Sequence, residues 1–118
     1  TMLTLEELII ETHADFDNYA AILTGFDDTG RFVVQMEYEN DRRQTKSLRQ
    51  ITVEKEEAWS FAHRQGIRLT DLPRYFYQEF GVQTDFFTPA EVRNLFGRIQ
   101  DFMDSHLLAY RTSSRNMP

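Results

Sequence analysis

The chain has 118 residues, 41% of them apolar and 14% aromatic, with ten Phe, no Cys and a net charge of −6. That length carries one domain with its own core, the composition excludes intrinsic disorder, and the lack of cysteine excludes disulfides and thiolate metal sites. No run approaches the roughly 18 apolar residues of a membrane span, and residues 2–7 lack the basic and apolar regions of a secretory signal, so the expected setting is the reducing cytoplasm.

The charge is unevenly spread. Residues 1–41 carry ten acidic groups against Arg31 alone, −9; residues 42–74 carry eight basic groups against four acidic ones, +4; residues 75–118 carry five acidic and four basic groups, −1. Either the two regions attract each other within the fold, or the acidic face meets a basic partner.

The N-terminal segment fits two patterns. Thr4 and Glu7 form a capping-box spacing, and Leu5, Leu8, Ile9 and Thr12 fall at helical intervals. A single helix over 4–24, stopped by Gly25, satisfies that periodicity. A helix to about residue 14 followed by a strand is preferred, because Phe32, Val34, Met36 and Tyr38 alternate as a strand with Gln35 and Glu37 on a wet face, and that strand needs a neighbour. Asp27, Asp28, Thr29 and Gly30 supply turn chemistry, so residues 32–38 pair with 19–26, whose Ala20, Ile22, Thr24 and Phe26 line one face.

Residues 40–46 are polar and read as a loop or exposed strand end, and 47–53 as a third strand. A helix follows over 54–65, with Ala58, Phe61 and Ala62 on one face and Gly66 suited to its C-terminal cap. Thr70 is placed to cap a further helix that runs to about Gly81. The strongest helix signal comes last. Thr88, Pro89 and Glu91 start it, and Val92, Leu95, Phe96, Ile99, Phe102, Met103, Leu107 and Tyr110 keep a 3.6-residue period over five turns. Residues 111–118 are polar and read as a frayed tail.

Several constellations could carry function. Glu11, His13, Asp15 and Asp17 share one face if their segment is extended, which would let His13, Asp15 and Asp17 ligate a divalent cation; in a helix they scatter. His63 has Ser60 three residues before it but no third group to orient it, and His106 reads as a boundary residue of the last helix. There is no P-loop, dinucleotide fingerprint, HExxH or GxSxG signature. Arg42, Arg43, Lys46 and Arg49 form a basic cluster within eight residues, fit either to guard a strand edge or to meet phosphate or an acidic partner. Tyr75, Phe76 and Tyr77 span about 200° of a helix, so one or two of them must leave the core or touch a second element; with Phe80, Phe86 and Phe87 they make a dense aromatic cluster.

Ala62, Gly66, Ile67, Leu72 and Tyr75 resemble the spacing of a helix-turn-helix DNA-binding motif over residues 58–77. The resemblance implies that Arg68, Thr70, Arg74 and Tyr77 face a major groove or its phosphates. Gln65 stands where an apolar residue is usual, Pro73 falls near the first turn of the second helix, and the overall acidity opposes a polyanion.

Taken together, residues 1–118 are expected to form one α+β domain: a short antiparallel sheet built on a β-hairpin, packed against three or four helices, the last one long. The leading functional expectation is a non-catalytic module that binds another protein through Arg42, Arg43, Lys46, Arg49, Tyr75 and Tyr77, with no cofactor. The alternatives are a DNA-binding protein and a metal- or small-ligand-binding enzyme.

Overall fold

Phe26 and Phe32 face each other across a five-residue turn, and the sheet grows outward from that pair. The computed structural model describes residues 3–12, 18–40, 45–81 and 88–117, with Thr45, Asn116 and Met117 described through their backbone only. Within them lie strands β1 (Thr4–Glu11), β2 (Asn18–Phe26), β3 (Phe32–Asn40), β4 (Thr45–Val53) and β5 (Arg111–Met117), and helices α1 (Lys55–Arg64), α2 (Leu72–Phe80) and α3 (Pro89–Ser105). A 3-10 turn, Leu69–Asp71, leads into α2. The strands form one antiparallel sheet in the order β1-β2-β3-β4-β5.

The turn forms as its residue types demand. The Asp27 carboxylate accepts hydrogen bonds from the Thr29 amide (2.9 Å), the Thr29 hydroxyl (2.7 Å) and the Arg31 amide (2.9 Å). Gly30 takes a φ of 85°, the left-handed region that a side chain disfavours. Partial burial acts to raise the Asp27 carboxyl, but these donors outweigh it and hold the group below the usual carboxylate range. From this turn β2 and β3 run in unbroken register from Phe26 and Phe32 to Asn18 and Asn40, and β4 continues the ladder from Val53 to Thr45.

One face of the sheet carries the helices. Ile22, Phe32, Val34, Ile51 and Val53 from the strands close on Phe61 of α1, Leu72 and Phe76 of α2, and Val92, Ile99 and Met103 of α3, all 2% exposed or less. Each such side chain stabilises by roughly 1.5–3 kcal/mol on burial. The rings meet edge-on or tilted, Phe76 standing 5.1 Å from Phe32 and 5.7 Å from Phe102. The opposite face is only partly wet. Val33 and Gln35 are buried there, and the Gln35 amide accepts from Gln50 (3.0 Å) and donates to Glu37 (3.2 Å).

The N-terminal segment is a strand, not the helix expected to residue 14. The Thr4 hydroxyl donates to the Phe26 carbonyl (3.2 Å) instead of capping a helix. Two register shifts explain the misleading periodicity. Thr4 pairs with Phe26 while Glu7 pairs with Thr24, and Leu8 pairs with Leu23 while Ile10 pairs with Ile22. Each shift inserts one extra residue, so the two-residue alternation changes phase twice in eight residues and imitates a helical spacing. Leu5, in the first bulge, has a φ of 53°. β2 accommodates the close approach of this edge through Gly25, where a Cβ would stand 2.8 Å from Leu3 Cβ and 2.9 Å from the Thr4 carbonyl oxygen.

Residues 111–117, expected to fray, form β5 on the opposite edge. The strand has no apolar stripe; its order comes from the main-chain ladder to β4 and from Glu54. That carboxylate meets Arg111 at 2.7 Å and Arg31 at 3.1 Å, which joins the start of β5 to the β2–β3 turn. Helix α3 also ends earlier than its apolar period implies. Thr88 caps it by accepting the Glu91 amide (3.2 Å), but it stops at Ser105. Leu107 sits at φ 57° and is 83% exposed, because the Leu108 amide donates to the Met103 carbonyl (2.9 Å) and turns the chain. Thr70 does not cap α2: it lies inside the 3-10 turn, whose entry is held by the Asp71 carboxylate accepting the Arg68 amide (3.3 Å).

Candidate interaction site: a basic trough beside α3

The sheet is divided electrically. Strands β1, β2 and β3 hold five acidic residues (Glu6, Glu7, Glu11, Glu37, Glu39) and no basic one, whereas β4 and β5 hold four basic residues (Lys46, Arg49, Arg111, Arg115) and no acidic one. The charge asymmetry of the sequence therefore becomes a difference between two halves of one sheet. The halves touch where Lys46 meets its cross-strand neighbour Glu39 at 3.5 Å.

Beside α3 the helix-bearing face of the basic half is left open. Met36, Tyr38, Ser47, Leu48, Arg49, Arg93 and Ser114 line a hollow of about 420 Å³. Arg49, Gln50, Phe96, Gln100, Thr112, Ser113 and Ser114 line a second, of about 210 Å³. Arg49 and Ser114, paired across β4 and β5, belong to both, so the two hollows form one trough on either side of them. Arg93 places its guanidinium 5.3 Å from the centre of the Tyr38 ring, a cation–π distance. Among the described residues no carboxylate lines either hollow and no ion pair engages Arg49 or Arg93. Two guanidiniums with serine, threonine, tyrosine and glutamine side chains make a surface suited to carboxylates or other anions.

The expected basic cluster is split. Arg42 and Arg43 lie outside the described residues. Lys46 and Arg49 are three apart on a strand and so project to opposite faces, Lys46 toward Glu39 and Arg49 into the trough. The aromatic cluster divides as well. Phe76 is fully buried, and Tyr75 packs edge-on against Phe61 at 5.9 Å with its hydroxyl 3.5 Å from Gln65 Oε1, while Tyr77 is exposed. Phe86 and Phe87 lie outside the described residues.

The alternative sites stand apart from the trough. Arg68, Thr70 and Arg74 are exposed around the turn into α2, and Arg68 is paired with Asp71 at 3.4 Å. Arg68 and Thr70 precede α2 rather than belonging to it, and the buried face of α2 packs on β1 and β2. His13, Asp15 and Asp17 lie outside the described residues; Glu11 accepts the Tyr19 hydroxyl at 3.1 Å. Burial, that hydrogen bond and the nearby Glu11, Glu37 and Glu39 push the Tyr19 phenol up to about 12. His63 stacks on the exposed Trp59 ring at 5.1 Å, and His106 is a boundary residue as expected, its Nδ1 2.9 Å from the Phe102 carbonyl oxygen.

Reading the residues alone singled out Arg49 but missed Arg93, Tyr38, Ser47, Gln100 and Ser114. One signal was available: Arg93, Phe96 and Gln100 are spaced i, i+3 and i+7 along a single helix face that borders the apolar stripe. No protein-family model, curated protein or solved structure matches the chain.

Proposed function

We propose that this protein is an interaction module that uses the basic β4–β5 half of its sheet to bind an acidic segment of another protein. The observation that carries the reading is the trough in which Arg49 and Arg93 share one hollow, with no carboxylate among the described residues lining it. Surface cations normally find counter-charges at little energetic gain. Two arginines beside hydroxyl donors form a recognition surface once an anion arrives, since charge-assisted hydrogen bonds are about twice as strong as neutral ones. Protein is favoured over nucleic acid by the net charge of −6, which repels a long polyanion while leaving a short acidic segment free to reach a local basic face. No helix among the described residues is long and apolar enough to cross a membrane.

The test is binding of a labelled eight-residue peptide of alternating glutamate and threonine, measured by fluorescence anisotropy, against the same peptide with lysine for glutamate. The acidic peptide binds and weakens as salt rises. The double variant Arg49→Glu, Arg93→Glu weakens it by at least about tenfold, roughly 1.4 kcal/mol. Equal binding of both peptides, or an unchanged affinity in the double variant, overturns the reading. Binding of duplex DNA that is lost on Arg68→Ala with Arg74→Ala transfers it to the helix-turn-helix alternative.

A further inference from the structure

The trough is bounded on one side by an unused strand edge. β5 is the last strand of the sheet, its seven residues pair with β4 without a register shift, and residues 111–115 are all exposed. Among the described residues no strand pairs with its far side. An edge of this kind presents a row of main-chain donors and acceptors that accepts a further strand. We propose that the acidic partner segment docks there as a sixth strand, hydrogen-bonded through its main chain to β5.

This rests on the reading of the basic half as a protein-binding face and adds the mode of binding. An added strand turns alternate side chains to opposite faces of the sheet. One set points toward the trough, where Ser114 and Arg49 stand side by side with Arg93 above them on α3. The other set points to the face of Arg115, the cross-strand neighbour of Leu48. Acidic residues in either set find a cation, Arg49 and Arg93 on the trough side and Arg115 on the other, where Lys46 and Arg111 are already paired with Glu39 and Glu54. A peptide lying across the edge without strand pairing has no such reason to alternate. A second copy of the chain is the poorer occupant. Pairing β5 with β5 brings two arginines from each copy, Arg111 and Arg115, onto one narrow ladder, and like charges across a strand pair are destabilising.

The experiment uses the full chain, the same glutamate–threonine peptide and two N-methylated versions of it, one methylated at the odd amides and one at the even amides. N-methylation removes a main-chain donor and leaves the side-chain charges in place. In strand addition only one alternating set of amides faces β5. One methylated peptide therefore loses affinity by at least about tenfold, because it forfeits several main-chain hydrogen bonds to β5, and the other binds as the parent does. Hydrogen exchange shows residues 111–117 gaining protection with the parent peptide. If both methylated peptides bind as tightly as the parent, or both weaken equally, strand addition is overturned while the acidic-partner reading stands. If the parent peptide itself fails to bind, that reading falls and this one with it. Concentration-dependent protection of residues 111–117 without peptide, together with a dimer in sedimentation, assigns the edge to a second copy and also overturns the proposal.

Discussion

The two edges of the sheet solve the same problem in opposite ways. β1 is irregular: two bulges, a left-handed Leu5 and three glutamates along eight residues break its outer edge, and α2 packs against it. Bulges and charges of this kind keep an edge from pairing with another chain. β5 has no bulge, a continuous seven-residue ladder, two arginines and no apolar stripe. One edge is fastened by its side chains and closed to pairing; the other is fastened by its main chain and left open. On the proposed reading, the difference puts stability on the β1 side and recognition on the β5 side.

The largest test of that division compares core and edge directly. Ile10, buried on β1 against Ile22, belongs to the core, whereas Thr112 on β5 is exposed. Ile10→Ala is expected to cost about 2–4 kcal/mol, the cavity cost of a buried aliphatic side chain. Thr112→Ala should change stability by less than about 0.5 kcal/mol. Urea unfolding measures both through the shift in midpoint. Comparable losses would mean that β5 is tied to the core by its side chains and that its edge is not a free surface.

The same contrast explains what could be read in advance. The β2–β3 hairpin, α1 and α3 were legible because a local cause sits beside each element: Asp27 and Gly30 at the turn, Gly66 at φ 73° after α1, and Thr88 with Pro89 before α3. β1 was not legible because its bulges scrambled the alternation that marks a strand. β5 was not legible because residues 111–117 carry no apolar period at all, and the ladder to β4 depends on where α3 delivers the chain. The trough failed for a related reason. Arg49 stood out among basic neighbours in sequence, but its companion in space is Arg93, which reads as one solvated helix charge until α3 is laid over the sheet.

An intermediate effect belongs to the acidic half. Tyr19 on β2 is hydrogen-bonded to Glu11 of β1 and held up to about 12 from an ordinary 10.0. Between those values the folded chain keeps a proton that the unfolded chain releases, so this contribution is present below pH 10 and is lost as the pH rises toward 12. Two pKa units in a dry site would be worth about 2.7 kcal/mol; with the ring only partly buried and water screening the carboxylates, about 1 kcal/mol is expected. Tyr19→Phe should flatten the alkaline limb of the stability curve measured in urea from pH 9 to pH 12. An alkaline limb unchanged in that variant would show that the phenol does not couple β2 to β1.

The smallest effect probes the open edge. Glu54 precedes α1 and is the carboxylate that Arg111 and Arg31 share, at 2.7 and 3.1 Å. All three side chains are substantially exposed, so the pairs contribute little to global stability, and Glu54→Gln should cost about 0.5 kcal/mol. Its local consequence is larger than its global one. Freed from Glu54, the first residue of β5 is held by the main-chain ladder alone. Hydrogen exchange should then quicken at residues 111–113 and stay unchanged in β1, where buried side chains fix the strand. Because the substitution also releases Arg111, the affinity of an acidic peptide should hold or rise even as the edge loosens. Faster exchange in β1 as well would mean that the two edges open as one cooperative unit, and a fall in peptide affinity would mean that the ordered start of β5, more than its free charge, is what the partner recognises.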